Sequence, residues 1–225
     1  DNSLQGKVYY IVSGHGGPDP GAMAETEGHA LCEDEYAYDV ALRLCRKLIQ
    51  HGATAYVIVR DENDGIRDEA YLECDKDETC YGDRKIPLNQ LTRLKQRAHV
   101  INDLYASYKR KGIKEQYCLV LHVDSRHKDK RTDLYFYHHK NSRKSKKMSQ
   151  SIYEVFKNKY SIYRANGQYN GSISSRNLYM VRETHPPTIY IEMGNLRNPK
   201  DQKRFLLNSN RQALADWITE GIINH

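Results

Sequence analysis

The fold of this chain follows from the stretch Val8-Tyr-Tyr-Ile-Val-Ser-Gly-His-Gly-Gly-Pro-Asp-Pro-Gly-Ala22. It begins as an apolar run and stops abruptly at a histidine set among glycines and prolines. A buried strand of a parallel sheet is typically such a short, nearly continuous apolar run. Open α/β sheets bind ligands at the carboxyl ends of their strands. The stretch therefore predicts a strand that presents His15 at a ligand-binding edge.

Two later segments have the same character. Tyr117–Ser125 is an apolar run that carries His122 near its end, and Thr188–Gly194 is another that ends in Glu192. Because parallel strands end at one edge of their sheet, we expect these side chains to lie near each other.

A further carboxylate begins a helix. From Glu33 to Leu48 the apolar or small residues recur at the spacing of one helical face, and Gly52 is a typical stop signal. Two histidines and one glutamate form a ligand set used by catalytic zinc. A second glutamate is then available for proton transfer.

Together these residues resemble the zinc-dependent N-acetylmuramoyl-L-alanine amidases of the Amidase_3 type, over nearly the whole chain. The motif G-H-G-G-x-D-P-G-A is complete at residues 14–22. The other family motifs correspond to Glu33, Val59-Arg60, Leu94 to Asn102, Val120 to Ser125 and Ile191 to Asn198.

The resemblance implies hydrolysis of the amide bond between N-acetylmuramic acid and L-alanine in peptidoglycan. It implies Zn²⁺ as cofactor, bound by His15, Glu33 and His122, and Glu192 as the catalytic carboxylate. Glu35 is the alternative to Glu33, since several acidic residues lie close together there.

Arg182 is a candidate substrate-binding residue, because it follows the predicted strand Leu178–Val181 and offers a cation to an oxyanion or a substrate carboxylate. A surface ion pair with Glu183 is the alternative interpretation.

Strand and helix patterns alternate along the chain, which predicts an α/β fold: a three-layer sandwich whose twisted, parallel or mixed central sheet is flanked by helices. We expect a single domain over residues 1–225, with an insert at about 69–85. The predicted strands are 7–13, 53–60, 117–123, 134–138, 178–181 and 188–193, and the predicted helices are 33–51, 91–111, 142–159 and 200–223.

Five cysteines allow a disulfide. Cys32, Cys45 and Cys118 fall within helix or strand patterns, where buried thiols are common. Cys74 and Cys80 are therefore the predicted pair, formed in an oxidising compartment.

The net charge of +6 and the basic run Lys140–Lys147 raise the question of nucleic-acid binding. No nucleic-acid motif accompanies the run, so we expect no nucleic-acid partner. Attraction to anionic peptidoglycan explains the charge equally well. No stretch is long enough for a transmembrane segment, and the start at Asp1 without methionine is typical of a trimmed, mature form. The peptidoglycan substrate that the resemblance implies leads us to expect an exported protein of the periplasm or cell envelope of a bacterium.

Two other functions fit the same ligand set. A zinc carboxypeptidase or another metallopeptidase would cut the peptide stems of peptidoglycan with the same zinc chemistry. A non-catalytic cell-wall-binding module is the second alternative, although such a module would be expected to lose ligands or the base.

Overall fold

The computed structural model describes residues 2–225, and Asp1 lies outside the described residues. In this range the chain forms eleven strands and six helices. The strands are β1 (Val8–Ser13), β2 (Met23–Thr26), β3 (His29–Cys32), β4 (Thr54–Val57), β5 (Val59–Arg60), β6 (Thr79–Cys80), β7 (Arg84–Lys85), β8 (Gln116–Asp124), β9 (Tyr135–His138), β10 (Ser172–Ser175) and β11 (Thr188–Asn195). The helices are α1 (Glu33–Gln50), α2 (Gln90–Arg110), α3 (Arg143–Tyr163), α4 (Tyr179–Glu183), α5 (Pro199–Leu206) and α6 (Asn208–Ile223).

The central sheet has six strands in the order β10-β9-β11-β8-β1-β4. Strands β4, β1, β8 and β11 run parallel, whereas β9 is antiparallel to β11 and β10 is parallel to β9. The sheet is therefore mixed, and its parallel part brings the carboxyl ends of β1, β8 and β11 to one edge.

Helices cover both faces of this sheet, as alternation along β1 illustrates. Tyr9 and Ile11 pack in an apolar cluster with α1, α3, α5 and α6, while Val8, Tyr10 and Val12 pack in a second cluster with α2 and α4. Successive side chains of a strand point to opposite faces, which explains this division. The predicted three-layer α/β architecture is confirmed.

Several predicted elements differ from the structure. Residues 178–181 were expected to form a strand, but helix α4 lies there, since a short apolar run does not distinguish strand from helix by periodicity. The expected helix 200–223 is divided into α5 and α6 by extended backbone at Leu207. The expected strand 53–60 is divided between β4 and β5, which belong to different sheets.

The predicted Cys74–Cys80 disulfide is wrong. Cys74 is bonded to Cys32, and the Cα atoms of the pair are 5.8 Å apart. Cys80 lies on β6 as a buried thiol in the cluster beneath α2. The side chain of Cys80 is buried in the core. Cys74 instead lies next to Cys32, the residue that precedes α1. Cys45 and Cys118 are buried thiols, as expected.

A buried ion pair connects the insert to the helices. The Arg211 side chain is fully buried, and its Nε lies 2.6 Å from Oδ2 of Asp39 on α1. Its Nη2 donates hydrogen bonds to the carbonyl oxygens of Arg67, at 2.7 Å, and Glu69, at 2.9 Å. The segment that follows β5 is therefore anchored to both α1 and α6.

Among residues 2–225, no helix combines the length and the apolar composition that crossing a bilayer requires.

Candidate active site

His15, Glu33 and His122 meet at the carboxyl edge of the sheet. His15 follows β1, Glu33 is the first residue of α1, and His122 lies near the end of β8. Nε2 of His15 is 3.2 Å from Oε2 of Glu33, and Nδ1 of His122 is 2.9 Å from Oε1 of the same carboxylate. Two ring nitrogens and a carboxylate thus face one another within 4.8 Å.

The loop after β1 needs unusual backbone conformations to bring these groups together. His15 has a φ of +65°, in the left-handed region that non-glycine residues rarely adopt. Gly21 has a φ of +70°, and a Cβ there would lie 2.6 Å from Cδ2 of His15 and 2.7 Å from Oε2 of Glu33. Residue 21 therefore has to be glycine for the loop to close over the imidazole and the carboxylate.

Glu33 is held in place by backbone donors as well as by the histidines. The amide of Ala22 donates to its Oε2 at 2.8 Å, and the amide of Val123 donates to its Oε1 at 2.9 Å. Burial would raise the pKa of Glu33, but the hydrogen bonds with His122 and His15 outweigh it and lower the pKa. The group is therefore an ionised carboxylate, as a metal ligand must be.

Asp19 orients His15 from the other side of the ring. Its Oδ2 lies 2.9 Å from Nδ1 of His15 and 2.5 Å from Nη2 of Arg93. Burial opposes protonation of His15, but hydrogen bonds with Asp19 and Glu33 raise its pKa to about 10. A metal ion held at Nε2 would displace this proton, because histidine binds metals in its neutral form. A carboxylate behind a histidine, with the other ring nitrogen directed at a shared centre, is the usual outer shell of a metal-binding histidine.

This donor set fits zinc. Nε2 of His15, Nδ1 of His122 and a Glu33 oxygen are nitrogen and oxygen donors of the kind that catalytic zinc uses in His₂Glu sites, which keep a position for water or substrate. Each group is also partly or fully buried. Asp19 fixes the His15 ring, the Val123 amide fixes Glu33, and the His122 ring stacks on Tyr190.

Glu192 lies next to this cluster. It is paired in register with His122 across the parallel strands β11 and β8. Its Oε2 is buried, with no hydrogen-bond partner among residues 2–225. Burial, followed by repulsion from Glu33 and Asp124, raises the pKa of Glu192 to about 8. A carboxyl group with such a pKa can both accept and release a proton near neutral pH.

A cavity of about 210 Å³ opens beside the histidines. His15 and His122 contribute polar atoms to its lining, and Leu178 and Tyr179 also line it. The segment expected to be a strand is thus the start of α4, and it lines this cavity.

The structure also locates the alternative residues. Glu35 points away from the histidines, since its Oε2 lies 2.9 Å from Nη2 of Arg67. Arg182 is exposed, is not among the cavity-lining residues, and forms an ion pair with Glu183 at 2.5 Å.

Sequence reasoning assigned no role at this site to three residues that support His15, two of them directly and Arg93 through Asp19. Asp19 lies inside the glycine-rich motif at residues 14–22, and this position could have indicated a role beside His15. Arg97, whose Nη2 donates to the carbonyl oxygen of His15, stands in the motif of α2. Arg93 had no signal in the sequence, because its contact with Asp19 joins residues that are far apart along the chain.

A family model described as N-acetylmuramoyl-L-alanine amidase, Amidase_3, matches residues 10–224. The chain belongs to the Amidase_3 family. The resemblance noted from the sequence motifs is thereby confirmed.

Curated and solved amidases match along most of this chain. The probable cell wall amidase LytH of Staphylococcus aureus is 24% identical over 228 residues, which cover 98% of this chain and 59% of LytH. The CwlD amidase of Clostridioides difficile, solved in complex with the GerS lipoprotein, has a TM-score of 0.70 and 19% identity, with 96% of each chain covered. The catalytic domain of CwlV, an N-acetylmuramoyl-L-alanine amidase from Bacillus (Paenibacillus) polymyxa, has a TM-score of 0.67 and 21% identity, with 97% of each chain covered.

Proposed function

We propose that this chain is a zinc-dependent N-acetylmuramoyl-L-alanine amidase, which hydrolyses the amide bond between N-acetylmuramic acid and L-alanine in peptidoglycan. The observation that carries the proposal is the convergence of His15, Glu33 and His122, with Glu192 paired beside His122. Membership of the Amidase_3 family supports the choice of bond.

In this proposal His15, Glu33 and His122 hold the zinc ion. When bound, zinc supplies Lewis-acid activation of a water molecule and of the scissile carbonyl. Asp19 holds the His15 ring in position, and the stacked ring of Tyr190, 4.5 Å from that of His122, does the same for the second imidazole.

Glu192 moves the protons. Its Oε2 has no hydrogen-bond partner within the described range 2–225 and is free to accept a proton from the attacking water. The protonated carboxyl then donates to the nitrogen of the departing alanine, which is a poor leaving group until protonated. The raised pKa of Glu192 suits both steps, because the acid and the base forms are both accessible near neutral pH.

The proposed setting is the bacterial cell envelope, outside the cytoplasm. The disulfide between Cys32 and Cys74 supports an oxidising compartment. The relative LytH is named as a probable cell wall amidase, which supports the same setting.

Mass spectrometry of peptidoglycan digested with the purified chain tests the proposal. Free stem peptides that begin with alanine are the expected product. Muropeptides shortened at their carboxyl ends would instead indicate a carboxypeptidase, and intact peptidoglycan that retains the bound protein would indicate a wall-binding module. The Glu192→Gln variant serves as the control for contaminating hydrolases.

A further inference from the structure

A second group of carboxylates lies on the other side of the Glu33 segment. Asp34 follows Glu33 on α1, Asp61 follows β5, and Asp75 and Glu78 belong to the segment that leads to β6. Oxygens of Asp61, Asp75 and Glu78 lie within 4.8 Å of one another, and Glu78 forms a similar group with Asp34 and Glu35. Three segments that are distant along the chain therefore bring negative charge to one place.

A cation compensates one member of this group. Nη2 of Arg67 lies 2.9 Å from Oε2 of Glu35. Throughout residues 2–225, no side-chain nitrogen of lysine, arginine or histidine forms an ion pair with the other members. These uncompensated carboxylates are Asp34, Asp61, Asp75 and Glu78.

Two of their oxygens are also buried without a hydrogen bond. Asp34 is 2% exposed and Asp61 is 7% exposed, and Oδ2 of each has no partner in the described part of the chain. The second oxygen of Asp61 accepts hydrogen bonds from the amides of Asn63, at 2.8 Å, and Asp64, at 2.9 Å. These bonds fix the carboxylate and leave Oδ2 directed into the group, where an unpaired buried charge is unfavourable.

We propose that Asp61, Asp75 and Glu78 bind a calcium ion, with Asp34 adjacent to Glu78. A donor set made of carboxylate oxygens alone favours Ca²⁺ or Mg²⁺, whereas protein zinc sites usually include nitrogen or sulfur ligands. The carboxylates come from an irregular segment, and calcium accepts irregular coordination more readily than magnesium does. Asp75 is partly exposed, so water can complete the coordination.

This ion would connect the insert to two of the three segments that carry the proposed zinc ligands. Oε2 of Glu78 accepts a hydrogen bond of 2.6 Å from the amide of Gly17, two residues after His15. Asp34 directly follows Glu33 on α1. Calcium bound at Glu78 thus stabilises the loop of His15 and the start of α1 without touching the catalytic groups.

Thermal unfolding of the full chain, loaded with zinc in calcium-free buffer, tests the proposal. A Kd of about 10⁻⁴ to 10⁻³ M is usual for calcium in extracellular modules. At about 100 times the Kd, mass action predicts a rise in Tm of about 5–10 °C for a chain of this size. No change in Tm at about 100 mM calcium, roughly 100 times the upper Kd, would overturn the proposal.

Variants locate the effect. Asp61→Asn and Asp75→Asn should each abolish most of the calcium-dependent rise in Tm. Asp83→Asn is the matched control, because its carboxylate lies in the same insert with a side chain that is 86% exposed, and this variant should keep the full rise. If Asp61→Asn does not fold, the rise in Tm of the Asp75→Asn variant decides the test, because Asp75 is partly exposed. A rise that persists in Asp75→Asn would contradict the site.

Terbium provides a direct measure of occupancy. Oη of Tyr38 lies 3.1 Å from the backbone nitrogen of Asp61, close enough to transfer excitation energy to a lanthanide bound there. Terbium should therefore emit on tyrosine excitation in the wild-type chain, and calcium should displace it. Equal emission from Asp75→Asn would show that terbium binds elsewhere.

Discussion

Glu192 and His122 occupy directly paired positions on the parallel strands β11 and β8. Neighbouring strands are about 4.8 Å apart, and paired residues project to the same face of the sheet. The glutamate is therefore held beside one proposed zinc ligand, yet its Oε2 has no hydrogen-bond partner within residues 2–225. Glu33, in contrast, is hydrogen-bonded at both oxygens. Glu33 is therefore suited to hold a metal, and Glu192 is suited to move protons.

Replacing Glu192 by glutamine should reduce kcat by about 10² to 10⁴, because the basic oxygen is lost while the side-chain volume is kept. Zinc content and Tm should stay near the wild-type values. Glu183→Gln, at an exposed position of α4, is the matched control and should keep full activity. Wild-type kcat in a folded, zinc-loaded Glu192→Gln protein would falsify the proton-transfer role.

Zinc content should distinguish the two neighbouring glutamates of α1. Glu33→Gln should bind zinc much more weakly, since Glu33 is the carboxylate that faces both histidines. Glu35→Gln should retain stoichiometric zinc, because its partner is Arg67. His122→Ala should lose metal and activity together. Elemental analysis of the three variants measures this, and full zinc in Glu33→Gln would contradict the ligand set.

Asp19→Asn should weaken zinc binding about 10- to 100-fold, the range observed when an outer-shell partner of a metal-binding histidine is lost. The asparagine side chain carries no negative charge, so it holds the His15 ring less firmly. Its contact with Arg93 is weaker for the same reason. Competition with a zinc-binding dye gives the affinity. An unchanged affinity would mean that Asp19 supports only the loop.

The Cys32–Cys74 disulfide should leave three free thiols in the unfolded, unreduced chain and five after reduction. Its closed loop is long, so the chain-entropy model gives a stabilisation of about 4 kcal/mol as an upper value. Urea unfolding of a Cys32→Ser, Cys74→Ser double variant measures the loss. Five free thiols without reductant would exclude the bridge.

Asp39→Ala should destabilise the fold by about 3–5 kcal/mol, because it leaves the fully buried Arg211 guanidinium without its carboxylate. Asp216→Ala is the control, since this aspartate forms an exposed pair with Lys47 at 3.4 Å and should cost about 0–1 kcal/mol. Equal midpoints of urea unfolding for the two variants would contradict this interpretation.

The local sequence pattern was sufficient to predict strands that are buried on both faces. The apolar runs that end at His15, His122 and Glu192 predicted three parallel strands of one sheet, because a strand covered on both faces has to be apolar along its length. The edge strand β10 was missed, since Ser172–Ser175 is mostly exposed and lacks this pattern.

The sequence by itself determined the sheet, the helix that carries Glu33 and the residues able to form the site, because period and composition are local properties. Only the tertiary structure decided that Cys74 pairs with Cys32, that Asp19 and Arg93 support His15, and that Asp61 and Asp75 converge on Glu78. Apart from the local pairs Asp19–His15 and Asp75–Glu78, these contacts join residues distant along the chain. Their partners depend on how loops cross the edge of the sheet, which no local periodicity encodes.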